Sequence, residues 1–136
     1  MSLESAETMK DLPMLLRLLR FLVLAATVAS GLVLVVKPES VSGFTGLAPD
    51  AARGITEIRA AMGGVFIALG VAPLVLRRPA ERVLGLVYLA IAAVRAPFMF
   101  ADGSAAEQSN WISLAFEVAA AGILLAERSR DQKDEG

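Results

Sequence analysis

Long apolar segments separated by short polar stretches dominate the chain of 136 residues. The segments cover about residues 12–36, 55–76, 83–101 and 110–126. Each is close to the roughly 20 residues that a helix needs to cross a lipid bilayer. Their apolar positions run around the whole circumference of a helix, without the polar stripe of a soluble surface helix. The pattern predicts an all-α fold, namely an integral membrane four-helix bundle formed by residues 12–126.

The polar stretches outside these segments divide the rest of the chain. Residues 1–11 are predicted to be a polar N-terminal tail and residues 127–136 a charged C-terminal tail. The stretch 37–53 contains prolines and glycines, which favours an ordered surface loop with a short helical turn. "RRPAER" reads as a tight turn between the second and third helices. "DGSAAEQSN" reads as a polar loop in which Ser109 or Asn110 could cap the fourth helix.

Lysines and arginines are distributed unequally between the two ends of the predicted helices. Nine lie in the two tails, at the start of the first helix or in the tight turn, and only two lie in the opposite loops. Basic residues mark the cytoplasmic side of a membrane protein. The sequence therefore predicts a multi-pass protein of the cell inner (plasma) membrane with both termini in the cytoplasm. The nine are Lys10, Arg17, Arg20, Arg77, Arg78, Arg82, Arg128, Arg130 and Lys133, against Lys37 and Arg53.

Composition narrows the chemistry that the chain can perform. The formal net charge of -1 disfavours a nucleic-acid partner, which would want a basic face. The absence of cysteine and histidine excludes disulfides, Cys/His zinc sites, His-ligated haem and serine–histidine catalysis. We predict no catalytic residues, no metal site and no cofactor. An enzyme is the least favoured class, limited to carboxylate acid–base chemistry on a lipid or quinone.

Two charged residues fall well inside the predicted membrane helices. Arg95 lies about 9 Å below the end of the third helix, and Glu117 about 10 Å below the start of the fourth, at 1.5 Å per residue. A charge at the membrane centre costs roughly 2.5–3.5 kcal/mol, so each group needs a partner or water. Because consecutive helices are antiparallel, the two depths match and predict a contact between Arg95 and Glu117.

Glu57 and Arg59 lie at the start of the second helix on faces about 200° apart. Counting along the helix from Glu57 gives a stripe of small residues, which is typical of close helix packing in membranes. We therefore expect Glu57 to point into the bundle. Arg59 either extends to the membrane surface or reaches Glu117. The helix-packing candidates are Ala61, Gly63, Gly64, Ala68 and Gly70.

The charged candidates Glu57, Arg59, Arg95 and Glu117 have two interpretations. They form a site for a ligand or ion, or they only fix the register and rotation of the helices. Arg17 and Arg20 are explained by contact with lipid phosphates at the cytoplasmic end of the first helix. A packing role is favoured for Tyr88.

The string E-x-R-A-x-x-G-G from Glu57 to Gly64, followed by Gly70, resembles the signature of the bacterial four-helix membrane family known as domain of unknown function 4345. The plan of that family is similar too, with an interior arginine in the third helix and an interior glutamate in the fourth, at the positions of Arg95 and Glu117. The resemblance covers roughly residues 15–127. It implies an integral membrane bundle and brings no established activity.

Two functional hypotheses follow from these observations. The first is a binding or accessory membrane protein whose charged cluster, in the outer half of the bundle, holds a membrane lipid, an amphiphilic small molecule or a partner membrane protein. The second is a small transporter or channel that acts as a homo-oligomer, with Glu57 or Glu117 as its coupling carboxylate. Neighbouring arginines disfavour a proton-coupled carboxylate because they keep it ionised.

Overall fold

The computed structural model describes residues 3–127, with the side chains of residues 11–127, and contains only helices and their connections in that range. A 3-10 turn, Pro38–Ser40, precedes α2, and a π-helical turn, Ile58–Gly63, joins α3 to α4 without a break. The α-helices are α1 Leu3–Val36, α2 Val41–Thr45, α3 Ala52–Glu57, α4 Gly64–Leu76, α5 Arg78–Ala101 and α6 Gln108–Leu125.

Among the described residues, three helical segments are long and apolar enough to cross a membrane: Asp11–Val36, Ala52–Leu76 and Arg78–Ala101. The helix α6 has 18 residues, and polar side chains occupy its first turn. Large apolar side chains on all four long segments face outward, among them Phe21, Leu74, Val94 and Ile112. Such a surface favours lipid over water as its surroundings. The predicted all-helical protein with helices long and apolar enough to cross a membrane is confirmed for the described residues.

The helix ends differ from the predicted ones in two places. The first helix begins at Leu3, so the described part of the predicted N-terminal tail continues α1. The third predicted membrane helix corresponds to α5 and begins at Arg78, because Pro79 suits the first turn of a helix, where no N–H donor is needed. The turn before it therefore consists of Arg77 alone, with a positive φ of 59°. Of the predicted C-terminal tail, residues 128–136 lie outside the described residues.

Glycines bring α1 and the second long segment into backbone contact. A Cβ atom at Gly31 would lie 2.8 Å from the carbonyl oxygen of Gly63. One at Gly70 would lie 2.6 Å from Cγ2 of Val28 and 3.1 Å from the carbonyl oxygen of Leu24. At each of the two glycines at least one distance is below 3.0 Å, which is too short for a real Cβ atom, so glycine permits this close approach. Gly63 and Gly70 are packing residues, as predicted.

The other three helix-packing candidates are corrected by the structure. Ala61, Gly64 and Ala68 lie on the exposed side of the second segment, and a Cβ at Gly64 would meet no atom within 4 Å. The face through Gly63 and Gly70 packs on α1 instead. Both faces carry small residues, so residue size alone could not indicate which of them is buried. The π-helical turn also changes the angle per residue. The helix face assigned to a residue by counting 3.6 residues per turn is therefore shifted there.

A compact core joins α1, α5 and α6. Tyr88 is 4% exposed and its hydroxyl lies 2.6 Å from Oγ1 of Thr27, which is fully buried. Thr27 donates its own hydrogen to the carbonyl oxygen of Val23 at 2.7 Å, so Tyr88 is the donor between the two hydroxyls. The predicted packing role of Tyr88 is confirmed. Its apolar neighbours in the core are Val23, Leu24, Leu84, Ala120, Ala121 and Leu124.

The connection between α1 and the second segment is ordered, as expected from residues 37–53. It contains the 3-10 turn and α2, and Val41 is buried against Leu34 and Ile58. Gly46 ends α2 with a φ of 72°, a conformation that glycine adopts without strain. The loop thereby closes over the end of the bundle at which α5 also ends and α6 begins. We call this end the α5–α6 end.

Candidate functional site

Arg95 and Glu117 form an ion pair near the α5–α6 end. Nε of Arg95 lies 3.0 Å from both carboxylate oxygens of Glu117, and Nη2 lies 2.7 Å from Oε1. The carboxylate is buried, with 7% of its side chain exposed, whereas 30% of the Arg95 side chain is exposed. Two parallel N–H bonds to one carboxylate are the strongest form of such a pair. The predicted contact is confirmed.

The ion pair continues into a chain of polar groups that ends in the α5–α6 loop. Nη1 of Arg95 donates to Oδ1 of Asn110 at 3.1 Å, and Nδ2 of Asn110 donates to the backbone oxygen and to Oγ of Ser104, each at 3.0 Å. Ser109 or Asn110 was expected to cap α6. Neither does, because α6 begins at Gln108 after Glu107, and the Asn110 side chain instead binds Arg95.

An open groove of about 550 Å³ runs along α5 beside Arg95. Its polar side chains lie from Arg95 to the α5–α6 end, where Phe98 and Met99 also border it, and its lining before Arg95 is only apolar. A groove with this gradient matches a molecule that has a polar head and an apolar tail. The polar wall is made by Arg95, Asp102, Ser104 and Asn110, and the apolar wall by Ala90, Ile91, Val94, Phe98 and Met99.

Glu57 and Arg59 are not part of this cluster. Glu57 is exposed and lies 3.9 Å from Arg53, one turn earlier on the same helix, in a pair whose side chains are 62% and 90% exposed. The expectation that Glu57 points into the bundle is wrong, because the opposite face of its helix packs on α1. Arg59 is exposed as well, and among the described residues Glu117 pairs with Arg95 and not with Arg59.

Glu57 borders a second, smaller groove of about 360 Å³ between α3 and the loop before it. Its walls are mostly apolar, and two carboxylates border it, those of Asp50 and Glu57. The exposed Arg53–Glu57 pair is typical of a surface contact with little energetic weight. The sequence candidates therefore separate into a buried pair, Arg95 and Glu117, and two exposed charges at the start of the second segment.

A second charged network, which the sequence did not predict, lies at the opposite end of the bundle. Arg78 donates to Glu81 and to the carbonyl oxygens of Leu124 and Ala126, each at 2.7 Å. Arg20 donates to the carbonyl oxygens of Ile123, at 3.3 Å, and Ala126. These carbonyls lie at the C-terminus of α6, where the last carbonyl oxygens have no N–H donor within the helix.

Arg20 is therefore held inside the protein and not by lipid phosphates alone. Only 13% of its side chain is exposed, and Nη1 lies 3.9 Å from Glu81. The expectation that contact with lipid phosphates explains Arg20 is wrong. Its acceptors are backbone oxygens of α6, which cannot be predicted from a pattern of side chains. The network fastens α1, α5 and α6 together and has the character of a structural contact.

Residues 3–127 define a class: an all-helical protein with three helices long and apolar enough to cross a membrane, and with a groove beside an arginine that is paired with a buried carboxylate. Within residues 3–127, no group of three or more acidic side chains gathers in a way that could hold a metal ion. Comparison with protein-family models, with curated proteins and with solved structures finds no match for this chain.

Proposed function

We propose that the chain crosses the cell inner (plasma) membrane four times, with α6 as the fourth span and both termini in the cytoplasm. The excess of basic residues at the end opposite to the α5–α6 end supports this orientation. The fourth span is supported by the close packing of α6 on α5 and by its outward apolar side chains, Ile112, Phe116 and Val118. The α5–α6 end then faces the outside of the cell.

Single cysteines test this topology, since the chain has none of its own. Ala106→Cys places a thiol in the exposed α5–α6 loop, and Glu127→Cys places one after α6. In intact cells, a membrane-impermeant maleimide is expected to label the first variant only, and both after the cells are opened. The cysteine-free parent is the control. Labelling of the second variant in intact cells would overturn the proposed topology.

The proposed function is the binding of an amphiphile, such as a membrane lipid, in the groove beside Arg95. The observation that carries it is a partly exposed guanidinium, fixed by a buried carboxylate, at the polar end of an otherwise apolar groove. A structural ion pair alone needs no groove beside it. An amphiphilic small molecule or a helix of a partner membrane protein would use the same chemistry.

Native mass spectrometry of the protein released from membranes tests this proposal, because it reports bound lipids and copy number together. The parent is expected to retain at least one amphiphile. Arg95→Gln is expected to lose it, whereas Arg82→Gln, which removes an exposed ion pair at the opposite end, is expected to retain it. Equal retention by both variants, or none by the parent, would refute binding at the groove.

Arg95→Gln also weakens the fold, so a second variant separates binding from stability. The charge swap Arg95→Glu with Glu117→Arg keeps an ion pair at the same site while removing the guanidinium from the groove. We expect the swap to recover much of the stability without recovering retention. Full recovery of both would mean that the pair is only structural.

The alternative is a small transporter or channel that works as a homo-oligomer. The observation that favours it is the exposed stripe of Ala61, Gly64 and Ala68, since small residues on a lipid-facing helix permit close contact with another helix. The same mass spectra give the number of copies, and liposomes containing the protein give the flux of ions or solutes. A single copy without flux would reject this alternative.

Membership of the family known as domain of unknown function 4345 also stands as a proposal. It is supported by the string from Glu57 to Gly64 and by the interior Arg95 and Glu117. In the structure one glycine of the string, Gly63, lies at the crossing with α1.

A further inference from the structure

The polar end of the groove carries two opposite charges that a ligand could bind separately. Resting on the amphiphile-binding function proposed above, we infer that the groove selects a zwitterionic headgroup, with a phosphate bound to Arg95 and an ammonium group beside Asp102. Phosphatidylethanolamine and phosphatidylcholine are bilayer lipids with this chemistry. The inference rests on the hydrogen bonds that Arg95 leaves unused, on the position of Asp102 and on the sum of the charges.

Arg95 keeps donors available for a ligand. A guanidinium has five N–H groups. In Arg95 the Nε–H and one N–H of Nη2 bind Glu117, and one N–H of Nη1 binds Asn110. One N–H on each terminal nitrogen is therefore without an acceptor in the described part of the chain. Guanidinium N–H groups of this kind recognise phosphate oxygens.

Asp102 provides the opposite charge on the same face of α5. It follows Arg95 by two helical turns, which places its Cα about 10 Å nearer to the end of the helix and about 20° away around the axis. Both side chains border the groove. Asp102 is exposed and has no ion pair with any described residue, so its carboxylate is open to a cation.

The sum of charges in the groove decides between headgroups. Arg95 and Glu117 compensate each other, and Asp102 leaves one negative charge at the polar end. A purely anionic headgroup would satisfy Arg95 but add to this negative charge. A purely cationic one would satisfy Asp102 but offer Arg95 no acceptor. A headgroup with a phosphate and an amine satisfies both and leaves the charge unchanged.

The direction of the groove fits the rest of a lipid molecule. From Ala90 to Val94 its wall is only apolar, over about 6 Å of helix, and from Arg95 to Asp102 the charged side chains share the wall with Phe98 and Met99. Asp102 lies beyond the end of α5, where the lipid headgroups of the proposed outer surface would be, and the apolar wall runs toward the membrane interior. An acyl chain can therefore follow α5 while the headgroup spans Arg95 and Asp102.

A competition among lipids tests the selectivity. The full-length protein is incubated in detergent with equal amounts of phosphatidylethanolamine, phosphatidylcholine and phosphatidylglycerol of identical acyl chains, and bound lipids are counted by native mass spectrometry. Both zwitterionic lipids are expected to be retained several times more than phosphatidylglycerol. Equal retention of all three, or preference for phosphatidylglycerol, would refute the inference while leaving amphiphile binding intact. Retention of none would refute the proposed function itself.

Variants at Asp102 test whether the selectivity comes from the groove, and they leave the Arg95–Glu117 pair unchanged. Asp102→Asn is expected to reduce the ratio of phosphatidylethanolamine to phosphatidylglycerol about threefold, which is the order expected for one partly exposed charge contact. Asp102→Lys is expected to invert the preference toward phosphatidylglycerol. Asp50→Asn makes the same charge change in an exposed loop outside the groove and should leave the ratio unchanged. An unchanged ratio in both Asp102 variants would contradict the inference.

Discussion

Arg95 on α5 and Glu117 on α6 are joined side-on, with Nε of the arginine 3.0 Å from both carboxylate oxygens. The pair connects two helices that also pack extensively on each other. Because the carboxylate is buried and the guanidinium borders the groove, Glu117 fixes the position from which Arg95 presents its remaining donors. The same contact therefore holds the helices in register and shapes the candidate site.

Removing one partner of this pair is expected to destabilise the protein. Arg95→Gln leaves the carboxylate of Glu117 buried without a cation, at a cost of about 2 kcal/mol. This is below the roughly 3–5 kcal/mol of fully buried pairs because Arg95 is partly exposed. Unfolding titrated with sodium dodecyl sulfate in mixed micelles measures the change. Arg82→Gln, which breaks the exposed pair with Glu127, should cost less than about 1 kcal/mol. Equal costs for both would contradict the assigned burial.

The two faces of α4 are expected to respond differently when a glycine is replaced by alanine. Gly70→Ala places a Cβ 2.6 Å from Cγ2 of Val28 and 3.1 Å from the carbonyl oxygen of Leu24, so α1 and α4 must move apart, at a cost of about 1–3 kcal/mol. Gly64→Ala meets no atom within 4 Å and should be neutral or stabilising by up to about 1 kcal/mol, since alanine favours a helix. The same detergent titration compares the two variants. A larger loss in Gly64→Ala would mean that the small-residue stripe is the buried face.

The sequence predicted the Arg95–Glu117 contact because the two residues have matching depths and each charge needs a partner within the bundle. Two consecutive antiparallel helices bring together residues at equal distances from their shared loop, and counting residues is enough to find them. The orientation of Glu57 depends on rotation about the helix axis. That rotation is set by the approach of Gly31 on α1, far away in the sequence, and both faces of the second segment offer small residues.

The network of Arg20 and Arg78 could not be predicted from the sequence, for a different reason. Its acceptors are mainly backbone oxygens at the end of α6, and every residue has such an oxygen. The groove at Arg95 was partly predictable. The sequence indicated a charged cluster, but the roles of Asn110 and Asp102 depend on how the α5–α6 loop folds back over α5.

The buried hydroxyl pair of Tyr88 and Thr27 predicts unequal effects of two conservative substitutions. Tyr88→Phe removes the donor but leaves Thr27 bound to Val23, so the loss should be about 1 kcal/mol. Thr27→Val leaves the Tyr88 hydroxyl buried without an acceptor and should cost more, about 2 kcal/mol. The double variant should be no less stable than Thr27→Val alone. Detergent unfolding of all four proteins checks this cycle, and additive losses would contradict the hydrogen bond.

The arginines at the C-terminus of α6 give the last prediction. Arg78 binds the carbonyl oxygens of Leu124 and Ala126, which lack partners within α6, and its positive charge lies at the negative end of that helix. Arg78→Gln should therefore cost about 1–2 kcal/mol, and it should increase amide hydrogen exchange in the last turn of α6 before it does so elsewhere.

The neighbouring Arg77 supplies the control for this experiment, because it is exposed and changes the net charge of the same end by the same amount. Arg77→Gln should leave exchange in α6 unchanged. If both variants increase exchange equally, the effect comes from the overall charge of this end and not from the hydrogen bonds of Arg78. Faster exchange in Arg78→Gln alone would identify Arg78 as the residue that holds the end of α6 against α5.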